Sequence, residues 1–451
     1  MTFLILASII LSGNYEVTKT FQPPVWGMVA PRGFCGQGRL RVGPSAVADL
    51  DVKVRMSGKR EKYMEVKKER LMSLDALRGA DMLFIMGFSG VIFSLCAWLG
   101  MKDCWLATQM THVDWHGFRH HDTIFPLFLF LAGVSWPFSY AGQIARGRST
   151  AAVLRKIGLR ALTLIFFGVA TSEQFWRFNF ASVRYDTVLA HIGVCWAAAA
   201  LLYVFVKSWK VRLAIAAALL VGHWALLFFI PAPDAAAVLS SADPAVAKVV
   251  AKYASDGTGN FSPVGCLACW IDRSFGIGRI NEVIFNADGL LAKITGAALA
   301  ILGTLAGEVL RDRNSTGNRK TCILLGAGAL ALVLAIAWRP WCPVNKKIWT
   351  ATFALASAAY SFFNLAAFYW IVDVRGWRHW TFFFSVIGMN SITIYMLMRI
   401  VGFNRISRLF FSGVAGWGNP DWNAAVILLG EVVVEWLVLW FLYRKKAFLK
   451  V

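Results

Sequence analysis

The chain holds 451 residues, 58% of them apolar and only 16% charged, with a mean hydropathy of +0.57. A soluble domain carries about 45–50% apolar and about 25% charged residues, so a soluble globular fold is excluded. The absence of alternating ten-residue segments also excludes a closed β-barrel. The net charge of +21, from 46 Lys and Arg against 25 Asp and Glu, needs its own account.

In chain order, residues 1–13 (MTFLILASIILSG) form an apolar run too short to span a bilayer. The run also lacks the positive lead of a signal peptide. Segment 21–50 is rich in Pro and Gly, and Met64 opens the charged run MEVKKER that leads into the first strong span. Residues 1–63 are therefore expected to be a disordered leader or an extension upstream of the true start, and 64–451 the membrane domain. A helix needs about 20 mostly apolar residues to cross the hydrocarbon core. Ten stretches qualify: 80–99, 123–143, 156–172, 188–206, 211–230, 288–310, 321–338, 348–371, 380–401 and 423–443. The expected fold is an all-α integral membrane protein, a polytopic bundle of about ten transmembrane helices. Segment 231–287, rich in Ala, Asp, Pro and Gly, is the one large connection and is expected to cap the bundle.

An even number of spans puts both ends of the bundle on one side, and the connections fall into two sets. Segments 53–79, 146–160, 207–212, 311–320, 374–378 and 444–450 hold 27 Lys and Arg. Segments 100–122, 172–187, 231–287, 339–347 and 399–422 hold 14, although they are longer. Cytoplasmic loops carry the Lys/Arg excess, so the first set is expected inside and both ends of the bundle cytoplasmic. The basic balance is then a topology signal. It does not point to nucleic acid, because no basic stripe interleaved with aromatics is present.

Ionisable residues near membrane depth are the informative ones. His112, His116, His120 and His121 fall within the segment THVDWHGFRHHDTIFP, on the expected outer face, with Asp122 at the start of the second span. Three readings compete: a metal site using the spacing of His112, His116 and His120, an interfacial loop without chemistry, and an acid/base site at the mouth of the bundle. Gly117 and the lack of an HExxH motif weigh against the metal. The acid/base reading is preferred, since His works near neutral pH and a carboxylate entering lipid needs a partner. Glu308, Asn390, Glu431 and Glu435 are further polar residues within spans, each with a structural reading at least as strong. Cys266 and Cys269 form a lone CxxC; with Cys104 and Cys342 they fall in outer loops, where a disulfide is conceivable but its pairing is open.

The strings RLMSLDALRGADML (70–83), HVDWHGFRHHDTIFPLFLFLAGVSWPFS (112–139), VLAHIGVCW (188–196), WIDR (270–273), PVNKKIWTATF (343–353) and Gly388-Met-Asn together resemble the transmembrane acyltransferases related to heparan-α-glucosaminide N-acetyltransferase. The resemblance runs from about residue 67 to the C-terminus. It implies an acetyltransferase that takes acetyl-CoA from the cytosol and acetylates a terminal glucosamine amine across the membrane. The family's active histidine falls on His112, with Trp115, Gly117, Asp122, Phe125 and Pro126 aligning around it. Two departures are His191, where the family often has Arg, and the lack of a first-span Asn around Gly87–Ser89.

On this reading His112 is the base or the acetyl carrier, and Asp122 its orienting partner. Arg78, Arg375 and Arg378 are expected to meet the phosphates of acetyl-CoA. Trp115, His116, Lys346, Lys347 and Asn390 are expected to contact an amino-sugar or oligosaccharide acceptor. No metal is expected. The partners implied are the lipid bilayer and a second copy in a homodimer, and the expected location is a bacterial inner membrane. The competing readings are a multi-pass sugar or small-solute transporter and a catalytically inactive membrane partner protein. The first is weakened by the absence of internal repeats.

Overall fold

A computed structural model describes residues 71–256 and 259–449, all helix, turn and loop apart from two isolated backbone bridges. The leader expected at 1–63 lies outside the described residues. The chain divides into a large unit, Leu71–Tyr140 with Ser149–Val451, and a small one that includes Ala141–Arg148. That short segment finishes a helix and turns at Gly147, whose N–H donates to the Ile144 carbonyl.

The long helices are α1 (Met72–Trp98), α2 (His120–Ile144), α3 (Thr150–Ala170), α4 (Val188–Phe205), α5 (Trp209–Phe229), α6 (Ala292–Arg311), α7 (Gly317–Trp338) and α8 (Ala351–Val374). They are followed by α9 (Thr381–Gly388), α10 (Ser391–Ile400), α11 (Phe403–Ala415) and α12 (Pro420–Arg444). Among the described residues eight are long and apolar enough to cross a membrane, nine if the bent pair α9 and α10 counts as one span. Two expected spans therefore need comment. The stretch 380–401 is broken, its halves meeting at 67° around Asn390. The stretch 156–172 lies in α3, which is 21 residues long but carries Arg155, Lys156 and Arg160 on its first half.

Local chemistry sets the helix ends. Ser149, Thr187, Thr316, Thr350 and Asn419 each accept a backbone N–H from the first turn of α3, α4, α7, α8 and α12, which satisfies a donor the helix cannot. Pro420 opens α12, where its missing N–H costs nothing. Within α1 the turn Phe84–Phe88 widens to π geometry around Gly87, with φ of 111°. Within α2, Pro126 lacks the N–H that would reach the Asp122 carbonyl.

Helices α2, α4, α6 and α8 are mostly buried, whereas α5 and α7 expose most of their surface, as expected of helices facing lipid. A large apolar core runs through the buried four, with Phe130, Trp136, Trp196, Leu299, Trp349 and Phe353 fully enclosed. A second core joins α1, α9, α10 and α12. At the crossing of α1 and α9, any side chain on Gly79 would overlap the Phe384 carbonyl, and one on Gly388 would overlap the Asp75 carbonyl. Small residues there let the backbones touch, the usual device for helix association in lipid. Glu308 on α6, beside Arg311 in sequence, instead takes both of its oxygens to Arg212 on α5 at 2.7 Å.

The connection 231–287 folds over one end of the bundle with three short helices, Ala235–Leu239, Pro244–Lys252 and Leu267–Phe275. Beneath it a third apolar core joins Trp115, Leu227, Tyr253, Phe285 and Ile348. The Arg273–Asp234 pair at 2.6 Å closes the connection on itself, and Asn286 donates to Asp186, which also pairs with Lys293 on α6 at 2.6 Å.

Candidate active site

The four histidines sit where the loop after α1 runs into α2, and they do not act alike. Residues 112–119 are irregular rather than helical, because Gly117 adopts φ of 137° and gives its N–H to the Val344 carbonyl. The i, i+4, i+8 spacing therefore does not place His112, His116 and His120 on one face. His112 Nδ1 lies 2.7 Å from Asp122 Oδ1; the imidazole keeps 51% of its exposure and the carboxylate 1%. Asp122 Oδ2 accepts backbone N–H groups from Val113 and Arg119 at 3.4 and 3.3 Å. The Arg119 guanidinium closes the turn by donating to Thr111 Oγ1 and the His112 carbonyl. A 2.7 Å separation from a carboxylate that is already ionised requires the proton on Nδ1. The lone pair of Nε2 is thereby left for a reacting group, as in other orienting His–Asp pairs.

The His121 ring lies against His112, ring centres 4.4 Å apart and tilted by 51°, and shares a hydrogen bond with Ser89 Oγ. His120 Nδ1 pairs with Tyr360 OH on α8, and its ring meets Phe84 edge-on. His116 is exposed and packs edge-on to Trp115. Trp115 is itself a core residue, its indole N–H bound to the Phe261 carbonyl. Among the described residues no group of three or more His, Cys, Asp or Glu is placed to hold a metal ion, and the seven described cysteines are free thiols.

Lys346, from the loop before α8, enters the same cluster. Its Nζ lies 3.1 Å from His112 Nδ1 and 3.5 Å from Asp122 Oδ1. Burial pulls the ammonium below its ordinary range, and the Asp122 carboxylate opposes that. Lys347 turns instead toward Glu282, at 3.5 Å. Asn390 is buried at the break between α9 and α10, with neither amide atom hydrogen-bonded among the described residues.

The arginines lie elsewhere. Ser73, at the start of α1, bonds the Asp373 carboxylate at the end of α8 through both its hydroxyl and its backbone N–H. Arg78 is five residues further along α1, held by Asp75 and Ser135. Arg375 caps α8 with its guanidinium over the Trp370 ring, and Arg378 donates to the Val372 carbonyl. Lys346 precedes α8 and Asp373 ends it. The histidine cluster and the arginine cluster thus occupy opposite ends of a 24-residue helix, roughly 35 Å at 1.5 Å per residue.

A histidine held in one tautomer by a buried carboxylate has the chemistry that a base or an acyl-accepting nucleophile needs. No protein-family model matches the chain. The heparan-alpha-glucosaminide N-acetyltransferase of Homo sapiens is 26% identical over 434 residues, which is 85% of this chain and 60% of the relative. The protein of the same name from Mus musculus is 27% identical over 388 residues, 75% of this chain and 56% of the relative. The chain is similar to these N-acetyltransferases. It spans somewhat over half of their length.

The residues that sequence reasoning did not nominate are those that orient the others. Ser89 and Tyr360 hold His121 and His120, Thr111 and Arg119 shape the His112 turn, and Asp288 accepts the Trp349 indole N–H at 2.6 Å beside Lys346. Ser89 and Tyr360 lie in apolar runs, where a hydroxyl carries no pattern of its own.

Proposed function

We propose that the protein is a membrane acetyltransferase that moves an acetyl group from acetyl-CoA to the amine of a glucosamine-type sugar. The observation that carries this reading is the His112–Asp122 pair, with Nδ1 committed and Nε2 open at the bundle mouth. A glucosamine amine is mostly ammonium near neutral pH, and only the free amine attacks a thioester. In the direct route Nε2 takes the amine proton, the nitrogen bonds to the thioester carbonyl, the C–S bond breaks, and the CoA thiolate leaves with a proton. In the two-step route Nε2 attacks the thioester carbonyl, the C–S bond breaks and the CoA thiolate leaves; the free amine then attacks the acetyl group, the C–Nε2 bond breaks, and the new amide gives up its extra proton. Asp122 supports the positive imidazole in both, and such proton transfer contributes about 10²–10⁴-fold.

The sidedness follows from charge. The arginine-bearing connections carry the Lys/Arg excess and are read as cytoplasmic, so acetyl-CoA approaches there and the acceptor meets His112 from outside. A bacterial inner membrane is the setting this fits. The test uses purified full-length protein with labelled acetyl-CoA, with and without glucosamine. Labelled N-acetylglucosamine that depends on His112 is expected. Transfer undiminished in His112→Ala would overturn the role of the histidine, and no transfer by the native chain would overturn the activity.

A further inference from the structure

We propose that Lys346 is a positioning residue for the reacting histidine: its ammonium balances the Asp122 carboxylate and stands against the His112 ring, so that protonating the ring costs more with Lys346 in place than without it. The inference rests on the reading of His112 as the reacting group. A buried carboxylate beside a histidine favours the imidazolium, and an imidazolium has no lone pair to offer. Here the carboxylate is already matched, since Lys346 Nζ stands 3.5 Å from Asp122 Oδ1 while two backbone N–H groups bind Oδ2. The same ammonium is 3.1 Å from His112 Nδ1. Because that nitrogen already donates to Asp122, this contact is not a hydrogen bond from Lys346, and it turns into like-charge repulsion as soon as the ring is protonated.

Every other charged or titratable group facing His112 either adds to this effect or is engaged elsewhere. Arg119 is engaged by the His112 backbone carbonyl and Thr111 Oγ1. His121 is turned to Ser89 and His120 to Tyr360. Lys347 pairs with Glu282, and Asp288 accepts from the Trp349 indole. Asp122 is therefore the single anion in contact with His112 among the described residues, and Lys346 the cation shared by both.

The loop that delivers Lys346 is built for it. Asn345 is fully buried and ties the loop at both ends, its N–H donating to Thr350 Oγ1 and its Oδ1 accepting from the Ile348 N–H. Trp349 takes φ of 49°, a left-handed conformation uncommon for a bulky residue. It is held there by the Asp288 bond and by its tilted contact with the His191 ring, centres 4.6 Å apart. Such local strain persists only where the surroundings over-determine it, and here it aims the residue three positions earlier into the site.

The experiment reads the pH dependence of His112 carbethoxylation by diethyl pyrocarbonate, which attacks the neutral imidazole. Fragment-resolved mass spectrometry separates His112 from His116, His120 and His121. Native protein is compared with Lys346→Met, Lys346→Gln and Lys346→Arg, each first shown to be monodisperse in detergent. In the two neutral variants the midpoint at His112 is expected to rise by about one pH unit, a tenfold change in proton affinity. Lys346→Arg is expected to keep the native midpoint. The acetyl-transfer profile of Lys346→Met should follow, with kcat/KM down about tenfold on the acid side and recovering as the pH rises. An unmoved midpoint in Lys346→Met and Lys346→Gln, or an equal shift in Lys346→Arg, overturns the proposal. A pH-independent rise in acceptor KM with the native midpoint also overturns it and assigns Lys346 to acceptor binding. Carbethoxylation needs no catalysis, so failure of the acetyltransferase reading would show separately, as absence of transfer by the native chain.

Discussion

His112 and Asp122 meet at 2.7 Å across ten residues of chain, the imidazole half exposed and the carboxylate buried. The pair spans the boundary between a loop and the first turn of α2, so the helix start fixes the carboxylate while the loop leaves the ring free to meet a substrate. Pro126, four residues on, withholds the N–H that would tie up the Asp122 carbonyl.

Asp122→Asn keeps the shape of this contact but removes the charge that selects the tautomer and supports the imidazolium. Acetyl transfer is expected to fall roughly 10³-fold or more in kcat, by analogy with triads that lose this carboxylate, with acceptor KM nearly unchanged. Steady-state kinetics with labelled acetyl-CoA checks it. An unchanged kcat would reduce Asp122 to a cap for the α2 terminus.

The backbone contact of α1 with α9 sets a sharp packing prediction. Gly388→Ala places a methyl group on the Asp75 carbonyl, and overpacking against a backbone that cannot yield is expected to cost about 3 kcal/mol or more. Gly326→Ala, on exposed α7 with nothing within 4 Å, is expected to leave stability unchanged or slightly raised. Size-exclusion profiles and thermal unfolding in detergent compare the two. Equal tolerance would show that the helices do not touch as described.

Arg212 is buried and Glu308 keeps 32% of its exposure, so the pair is only partly shielded from water. Glu308→Gln leaves a buried guanidinium without its anion and is expected to cost about 1–3 kcal/mol, the lower end reflecting solvent screening. The double variant Arg212→Met with Glu308→Met should recover most of that loss, since no unpaired charge remains. A double-mutant cycle in thermal stability measures the coupling, and a double variant no better than the single one would contradict it.

Asp272, in the segment over the bundle, accepts backbone N–H groups from Asn286 and Leu290. Burial nonetheless pushes its carboxyl up to about 6 from the ordinary 3.8. A folded-state value above the unfolded one means that the folded chain holds the proton more tightly. That stabilisation is complete below about pH 4 and is lost as the pH rises through about 6. The stability of the native chain relative to Asp272→Asn is therefore expected to fall by about 3 kcal/mol between pH 4 and pH 7. Thermal unfolding across that range checks it, and a difference that does not vary with pH would count against the buried carboxyl.

The helices were legible because hydropathy is a local property: about 20 apolar residues in a row suffice, wherever the neighbours lie. The stretch 380–401 passed that test and still breaks, because the bend at Asn390 depends on packing against α1 and α12, which composition does not encode. The partner of Glu308 was not legible for the same reason: Arg311 is near it in sequence, but the guanidinium it binds is that of Arg212, on another helix. Trp115, expected to contact an acceptor, turns out to anchor the loop in the core beneath the segment 231–287.

The sequence alone determined that this chain lives in a membrane and where most of its helices run, and it pointed to His112 with Asp122 because a carboxylate entering lipid needs a partner. Only the tertiary structure decided what else stands there. Lys346 is 234 residues away from His112. It arrives because α8 packs in the core beside α2 and because a loop strained at Trp349 points it inward. Pairing of that kind is settled by helix packing and burial, which act through space and leave no periodic trace along the chain.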